Sequence, residues 1–194
     1  MLRPGSETKI LDAGYSDEEY FPDLENYLEK HYAYPENITA LGVTEPKKFR
    51  LRYPMVDAVV YDGKQFPFRD KSFDVCWSNA VLEHVGSFDD QALFLREIHR
   101  VSRQAFVTTP NRYFPIEVHT KIPFVHYLPV SIRDFVYKKL GKEWATDGYM
   151  RLLSRGDLKK LLHAAGVSSY SIRSNRIGPF AMDFVILFKD ETRA

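Results

Sequence analysis

Residues 57–85, DAVVYDGKQFPFRDKSFDVCWSNAVLEHV, decide the fold. They hold two apolar, strand-like runs, 57–61 and 73–77, and each closes on polar residues: Asp62-Gly63 after the first, Ser78-Asn79 after the second. Runs this apolar, with no in/out alternation, are expected to be strands buried on both faces, as in the middle of a parallel α/β sheet. Ligands in such sheets bind outside the carboxyl ends of the strands. The polar residues at those ends are therefore the first candidates for chemistry.

Upstream, residues 9–13 read as a first strand ending at Gly14. Ser16 with Glu19 fits a capping box, and Tyr20, Leu24, Tyr27 and Leu28 recur at helical spacing, so a helix is expected directly after that strand, with Pro22 tolerated in its first turn. Residues 37–43 read as a second strand, and 46–54 as a basic connection without a pattern. Downstream, Ser87 and Asp90 fit the cap of a helix whose apolar stripe is Phe88, Ala92, Leu95, Ile98 and Val101. A fifth strand, 104–109, stops at Pro110. This alternation predicts βαβ units and a parallel sheet. Across 111–148 the pattern is lost in an aromatic-rich run broken by Pro115, Pro123 and Pro129, with one helix expected at 131–140. Long insertions after a strand's carboxyl end are more often functional than idle. Ser154 and Asp157 cap a last helix that stops at Gly166, and strands 169–174 and 181–188 close the chain as a hairpin-like pair.

A length of 194 residues suits one α/β domain, 1–194, carrying the insertion at 111–148. Hydrophobic residues at 44% and aromatics at 14% exclude a disordered chain, and the aromatic share suits a cleft lined with rings. The net charge is +1 and the basic residues are scattered, so no nucleic-acid partner is expected. Cys76, the only cysteine, excludes an internal disulfide and a multi-cysteine metal site, and fits a reducing cytoplasm. The N-terminal MLRPGSETK lacks the apolar core of a signal peptide, and no run approaches the length of a membrane span. A soluble, cytoplasmic protein is expected.

Four motifs, D-G-x-x-x-P-F at 62–68, D-K-S-F-D-V at 70–75, S-N-A-V-L-E-H-V at 78–85 and T-P-N-R-Y-F-P-I-E at 109–117, resemble the class I S-adenosylmethionine-dependent methyltransferases of the type 11 group. The resemblance spans residues 9–189, without the helical segment that usually precedes the first strand. It implies a Rossmann-like three-layer α/β sandwich with a seven-stranded, mostly parallel sheet whose last strand is antiparallel. It also implies S-adenosylmethionine as cofactor. In that family the residue matching Asp62 bonds the adenine amino group, the residue matching Gly63 packs on the ring, and the positions matching Asn79 and Ala80 lie beside the methionine moiety. Asp12, followed by Ala13, Gly14 and Tyr15, occupies the first motif, where a carboxylate helps hold the cofactor's amino group. Two departures stand out. Only Gly14 remains of a glycine-rich turn, and Gly42 stands where an acidic residue would grip the ribose, with Glu45 as the nearest carboxylate.

Each candidate has a plainer reading. A glycine-containing βα turn also suits NAD, but Asp17, Glu18 and Glu19 in the following turn oppose phosphate binding. Asp62 before Gly63 is otherwise an ordinary turn residue. Glu83 and His84 are otherwise capping or packing residues, yet an imidazole titrating near neutrality makes His84 the candidate general base. Asn111, Arg112, Tyr113 and His119, with His126 beside them in the insertion, are candidate acceptor contacts competing with an ordinary surface role. A metal site from His84, His119 and Glu117 lacks close ligand spacing, so no metal is expected. The activity expected is methyl transfer to a small-molecule acceptor. The alternative is a methyltransferase-like scaffold that has lost the cofactor and serves as a binding or regulatory module.

Overall fold

The computed structural model describes residues 4–20, 25–146 and 148–189 of the chain. Among them, seven strands build a single sheet: β1 (Ile10–Ala13), β2 (Ile38–Gly42), β3 (Asp57–Val60), β4 (Phe73–Asn79), β5 (Ser102–Pro110), β6 (Tyr170–Ile177) and β7 (Phe180–Lys189). Their order is β3-β2-β1-β4-β5-β7-β6. The first five run parallel, and β7 runs antiparallel to both neighbours. The chain thus winds outward from β1 in both directions, and the reversal between β1 and β4 opens a crevice at their carboxyl ends.

The two apolar runs at 57–61 and 73–77 take different places. Phe73–Asn79 is the central strand expected, with Val75, Cys76 and Ser78 buried. The expected place in the middle of the sheet fails for β3, which is an edge strand: Ala58 is buried while Asp57 and Val60 are exposed. Ala58 packs with Ile38, Phe49 and Val56 in one cluster and Val59, half-buried, packs against the other, so the exposure lies at the strand's two ends.

Helices α1 (Tyr27–His31) and α2 (Lys47–Arg52) accompany this smaller cluster; α2 falls in the stretch that carried no sequence pattern. The larger cluster lies beneath α3 (Phe88–Val101) and α5 (Arg155–Ala164), whose Leu95, Ile98, Leu158, Leu161 and Leu162 are fully buried. Both begin with reciprocal caps. Asp90 N donates to Ser87 Oγ at 3.2 Å while Ser87 N donates to Asp90 Oδ2 at 2.8 Å; Ser154 and Asp157 repeat the exchange at 3.1 and 2.9 Å. Helix α4 (Val130–Lys139) belongs to the insertion.

The helix expected from the pair Ser16 and Glu19 does not form there. Asn26 takes both backbone groups of Ser16, accepting from its N–H at 2.9 Å and donating to its carbonyl at 2.8 Å. Glu19 turns instead to Asn26 Nδ2 at 2.8 Å and the Tyr53 hydroxyl at 2.6 Å, with Lys30 Nζ at 3.2 Å. These tertiary partners outcompete a cap, and α1 starts only at Tyr27. Pro22 and Leu24 lie outside the described residues.

Candidate active site at the carboxyl edge of the sheet

The carboxyl ends of β1 and β2 and the turn after β3 open onto a cleft of about 310 Å³, within the range of small-ligand sites. Ala13, Gly14, Leu41 and Gly42 form its floor, Tyr61, Val81 and Phe94 its apolar walls, and His84 and Asp90 its polar side chains. Gly14 has φ +123 and Gly63 φ +81, angles that favour glycine. The spaces beside two glycines are already taken. A Cβ on Gly14 would lie 2.3 Å from Val81 Cγ2, and one on Gly42 would lie 2.6 Å from the Tyr15 ring. That ring packs on Phe49 with centroids 4.7 Å apart, and its hydroxyl donates to the Thr44 carbonyl. Gly63 is open by contrast, since a Cβ there would meet only Val43 at 3.8 Å.

Beneath this floor Asp12 is buried against Glu29. Burial raises both carboxyls, and the neighbouring Glu29 charge raises Asp12 well above the ordinary carboxylate range. Among the described residues neither Glu29 oxygen has a hydrogen-bond partner of good geometry.

Under the insertion lies a second cavity of about 400 Å³, lined among others by Arg112, Glu117, Arg133, Tyr137, Tyr149 and Arg151. Gly86 lines both cavities. Where they meet, the residues after β4 and the start of the insertion bring four titratable groups together. His119 Nε2 stands 3.3 Å from His84 Nε2 and 4.0 Å from Glu83 Oε1. Glu117 Oε1 accepts from His119 Nδ1 at 2.7 Å, and the same carboxylate takes the backbone N–H groups of His119 and Thr120. Glu83 is 1% exposed; its Oε2 accepts from the Thr109 hydroxyl at 3.0 Å and its Oε1 has no hydrogen-bond partner among the described residues. Burial pushes Glu83 up to about 7. It works against Glu117 too, but the hydrogen bonds from His119 and Thr120 outweigh it and hold that carboxylate at about 2. Burial, joined by the neighbouring His119, lowers His84, whereas Glu117 overcomes the burial of His119 and raises it.

Residues 11–105 match the family described as "Methyltransferase domain". Over that stretch, just under half of its length, the chain is similar to methyltransferase domains. No curated protein matches the sequence. Among solved structures, a possible histamine N-methyltransferase from Thermotoga maritima is 14% identical with a TM-score of 0.61, covering 98% of this chain and 84% of that one. An S-adenosylmethionine-dependent methyltransferase from Methanosarcina mazei is 15% identical with a TM-score of 0.59, over 96% and 94%. The N-terminal domain of EvdMO1 with SAH bound is 18% identical with a TM-score of 0.54, over 95% and 75%. At such identities the likeness is one of fold. It extends past residue 105, so the insertion and the β6–β7 pair lie within the shared methyltransferase architecture.

Within this methyltransferase fold the sequence candidates separate. Ala13, Gly14 and Gly63 line the first cleft, as does His84. Tyr15 lies behind Gly42 rather than in the opening, and Glu45 is exposed beyond it. Asp62 is exposed and accepts from Lys64 N at 2.9 Å, closing its own turn. Asn79 Oδ1 accepts from the Thr108 hydroxyl at 2.7 Å, and Ala80, at φ +54, donates its N–H to that hydroxyl at 2.9 Å. Arg112 lines the second cavity and is braced by the Leu152 carbonyl at 2.7 Å. Asn111 is buried and bonds the Ala181 carbonyl, Tyr113 points to solvent at 65% exposure, and His126 Nε2 meets the Arg112 carbonyl at 3.1 Å. Val81, Tyr149 and Arg151 carried no site signal in the sequence, and Glu83 and Glu117 stood outside the expected site. The signal for Glu117 was its spacing: an E-x-H-T run lets one carboxylate cap the turn it begins.

Proposed function

We propose that this protein transfers the methyl group of S-adenosylmethionine to a small-molecule acceptor, with the cofactor in the first cleft and the acceptor beneath the insertion. The observation that carries the reading is that the two cavities share Gly86, while His84 lines the first and packs on Tyr149, which lines the second. A methyl group must pass directly between donor and acceptor, so two adjoining sites with a common wall are what the reaction needs. The first cleft suits the adenosyl part of the cofactor: its walls are apolar and its floor holds glycines, with Gly63 leaving room for a close approach. Asp12, Ala13, Gly14, Tyr15, Glu45, Asp62, Gly63, Asn79 and Ala80 remain the proposed cofactor contacts, of which Ala13, Gly14 and Gly63 line the opening. S-adenosylmethionine supplies an activated methyl on a cationic sulfur. The protein's own part is to align the acceptor, exclude water and remove a proton where the acceptor carries one. His84 is placed to act on that proton, since its Nε2 faces the junction. Arg112, Arg133 and Arg151 around the second cavity favour an acceptor with an anionic group.

Among the described residues no helix is long and apolar enough to cross a membrane. We place the protein in the cytoplasm, where a lone buried thiol stays reduced.

A second reading, a scaffold without cofactor, draws on Val81 and Tyr15 filling the space beside Gly14 and Gly42 and on the burial of Asp12. Calorimetric titration with S-adenosylmethionine and S-adenosylhomocysteine decides between them. Saturable binding at micromolar ligand is expected; no heat from the folded protein at millimolar ligand would leave only the scaffold.

A further inference from the structure

We propose that Glu83, His84 and His119 bind a divalent metal ion of the zinc class, with one coordination position left open between the two clefts for a hydroxyl oxygen of the acceptor. The inference rests on the reading of this junction as the place of methyl transfer, and deepens it by naming an oxygen acceptor.

The first observation concerns the tautomers. His84 Nδ1 faces the Tyr149 carbonyl at 3.4 Å and His119 Nδ1 faces the Glu117 carboxylate at 2.7 Å. Both partners only accept, so each Nδ1 carries the ring proton and each Nε2 presents a lone pair. Those two lone pairs confront each other at 3.3 Å. A cation between them, a proton or a metal ion, relieves the repulsion without giving up either Nδ1 contact.

The second observation selects the cation. A proton on one imidazole joins two atoms, whereas here three converge: Glu83 Oε1, buried and without a hydrogen-bond partner among the described residues, lies with both Nε2 atoms inside a group spanning at most 4.8 Å. A buried carboxylate oxygen without a donor is costly unless something positive reaches it. Nitrogen ligands of tetrahedral zinc, bonded at about 2.0–2.1 Å, stand roughly 3.3–3.4 Å apart, close to the 3.3 Å between the two Nε2 atoms. Two imidazoles and one carboxylate with a free fourth position form the donor set of a catalytic rather than a structural zinc site.

The surroundings fit as well. Glu117 stands behind His119 as the carboxylate that fixes a metal-binding histidine's ring and raises its basicity. The Tyr149 ring packs on His84 with centroids 4.9 Å apart. His84 lines the first cleft, and Glu117 and Tyr149 line the second. An acceptor hydroxyl on the open position loses its proton to solvent water more readily than a free one. Its oxygen then bonds the methyl carbon as the carbon–sulfur bond breaks, leaving a neutral thioether. His84 thus acts on the acceptor through the metal rather than by taking the proton itself. No ligand spacing is visible in the sequence because His84 and His119 are 35 positions apart, and the fold joins them.

The test is metal binding by the full-length chain, stripped with chelator and titrated with Zn²⁺ against a chromophoric competitor, with Co²⁺ as a spectroscopic substitute. Expected are about one equivalent of Zn²⁺, an intense tetrahedral-type Co²⁺ spectrum, and a loss of about 10- to 100-fold in affinity for Glu117→Gln, which leaves all three ligands in place. His84→Ala with His119→Ala should abolish stoichiometric binding. No stoichiometric Zn²⁺ or Co²⁺ binding by the wild type, or unchanged binding by the double variant, overturns the proposal. So does nitrogen NMR showing both His119 ring nitrogens protonated and unmoved by added Zn²⁺. S-adenosylhomocysteine titration of the stripped protein reads the cofactor site separately. Metal binding without cofactor binding fails the proposed function alone; cofactor binding without metal fails this inference alone.

Discussion

The two halves of the sheet's carboxyl edge are built on different terms. At the β1–β2 end the floor of the cleft is tightly packed: Val81 stands beside Gly14, Tyr15 beside Gly42, and Asp12 is buried with Glu29. At the β4–β5 end, Glu83 Oε1 is left without a partner among the described residues and two imidazoles meet through their Nε2 atoms. Both halves bury carboxylate oxygens without a hydrogen-bond partner, Glu29 in one and Glu83 in the other, but only the second sets two imidazoles beside its carboxylate. Chemistry is better sought where several unsatisfied groups converge.

The contrast can be broken most severely at Gly14. Gly14→Ala would force a Cβ to 2.3 Å from Val81 at φ +123 and should lower stability by about 3 kcal/mol in urea melts. Gly63→Ala, with a positive φ but open space, should lose only about 1 kcal/mol. Equal losses at both would mean that Val81 yields and that the first half is looser than its packing implies.

At the other half, Thr109→Val removes the hydroxyl that serves Glu83 Oε2 and should cost about 2 kcal/mol. A neutral result in the same melts would show that the Glu83 carboxyl needs no donor there.

Asp12 gives the comparison a pH axis. Its folded value is raised, so the folded chain keeps a proton that the unfolded chain has lost above about pH 4. The group's contribution is therefore complete below that value and declines as pH climbs toward its folded value. Asp12→Asn should flatten that slope and leave the protein about 1 kcal/mol more stable at pH 8, as read from melts across pH. If Asp12 instead meets the cofactor's amino group, the same variant should weaken S-adenosylhomocysteine binding about tenfold. Unchanged affinity would place Asp12 in the packing alone.

The smallest effect belongs to Tyr15→Phe. Losing the bond to the Thr44 carbonyl should lower stability by about 1 kcal/mol or less, since the ring stays on Phe49.

Three S-x-x-[DE] runs show how much of this was legible in the sequence. Ser87 with Asp90 and Ser154 with Asp157 became caps because each stands before a strong apolar stripe that packs on the sheet. Ser16 with Glu19 has the same local chemistry, but Asn26 and Tyr53 claim its groups from a distance, which no window of neighbouring residues reveals. The same limit applies to 57–61, whose composition suits an edge as well as a centre. At the site, His84 was visible because an imidazole, which titrates near neutrality, follows the polar end of the fourth strand. Its meeting with His119 was not, since that depends on how the insertion folds back over the sheet.

Cys76 carries a practical consequence. It lies in the central strand with 0% exposure, and burial pushes its thiol well above the usual range, so no local fluctuation of a loop presents it to a reagent. As the chain's only cysteine it is a native clock for global opening. The rate at which an alkylating agent consumes it counts excursions to the unfolded chain. Slowing of that clock by a cofactor or a metal ion would report binding without any engineered label.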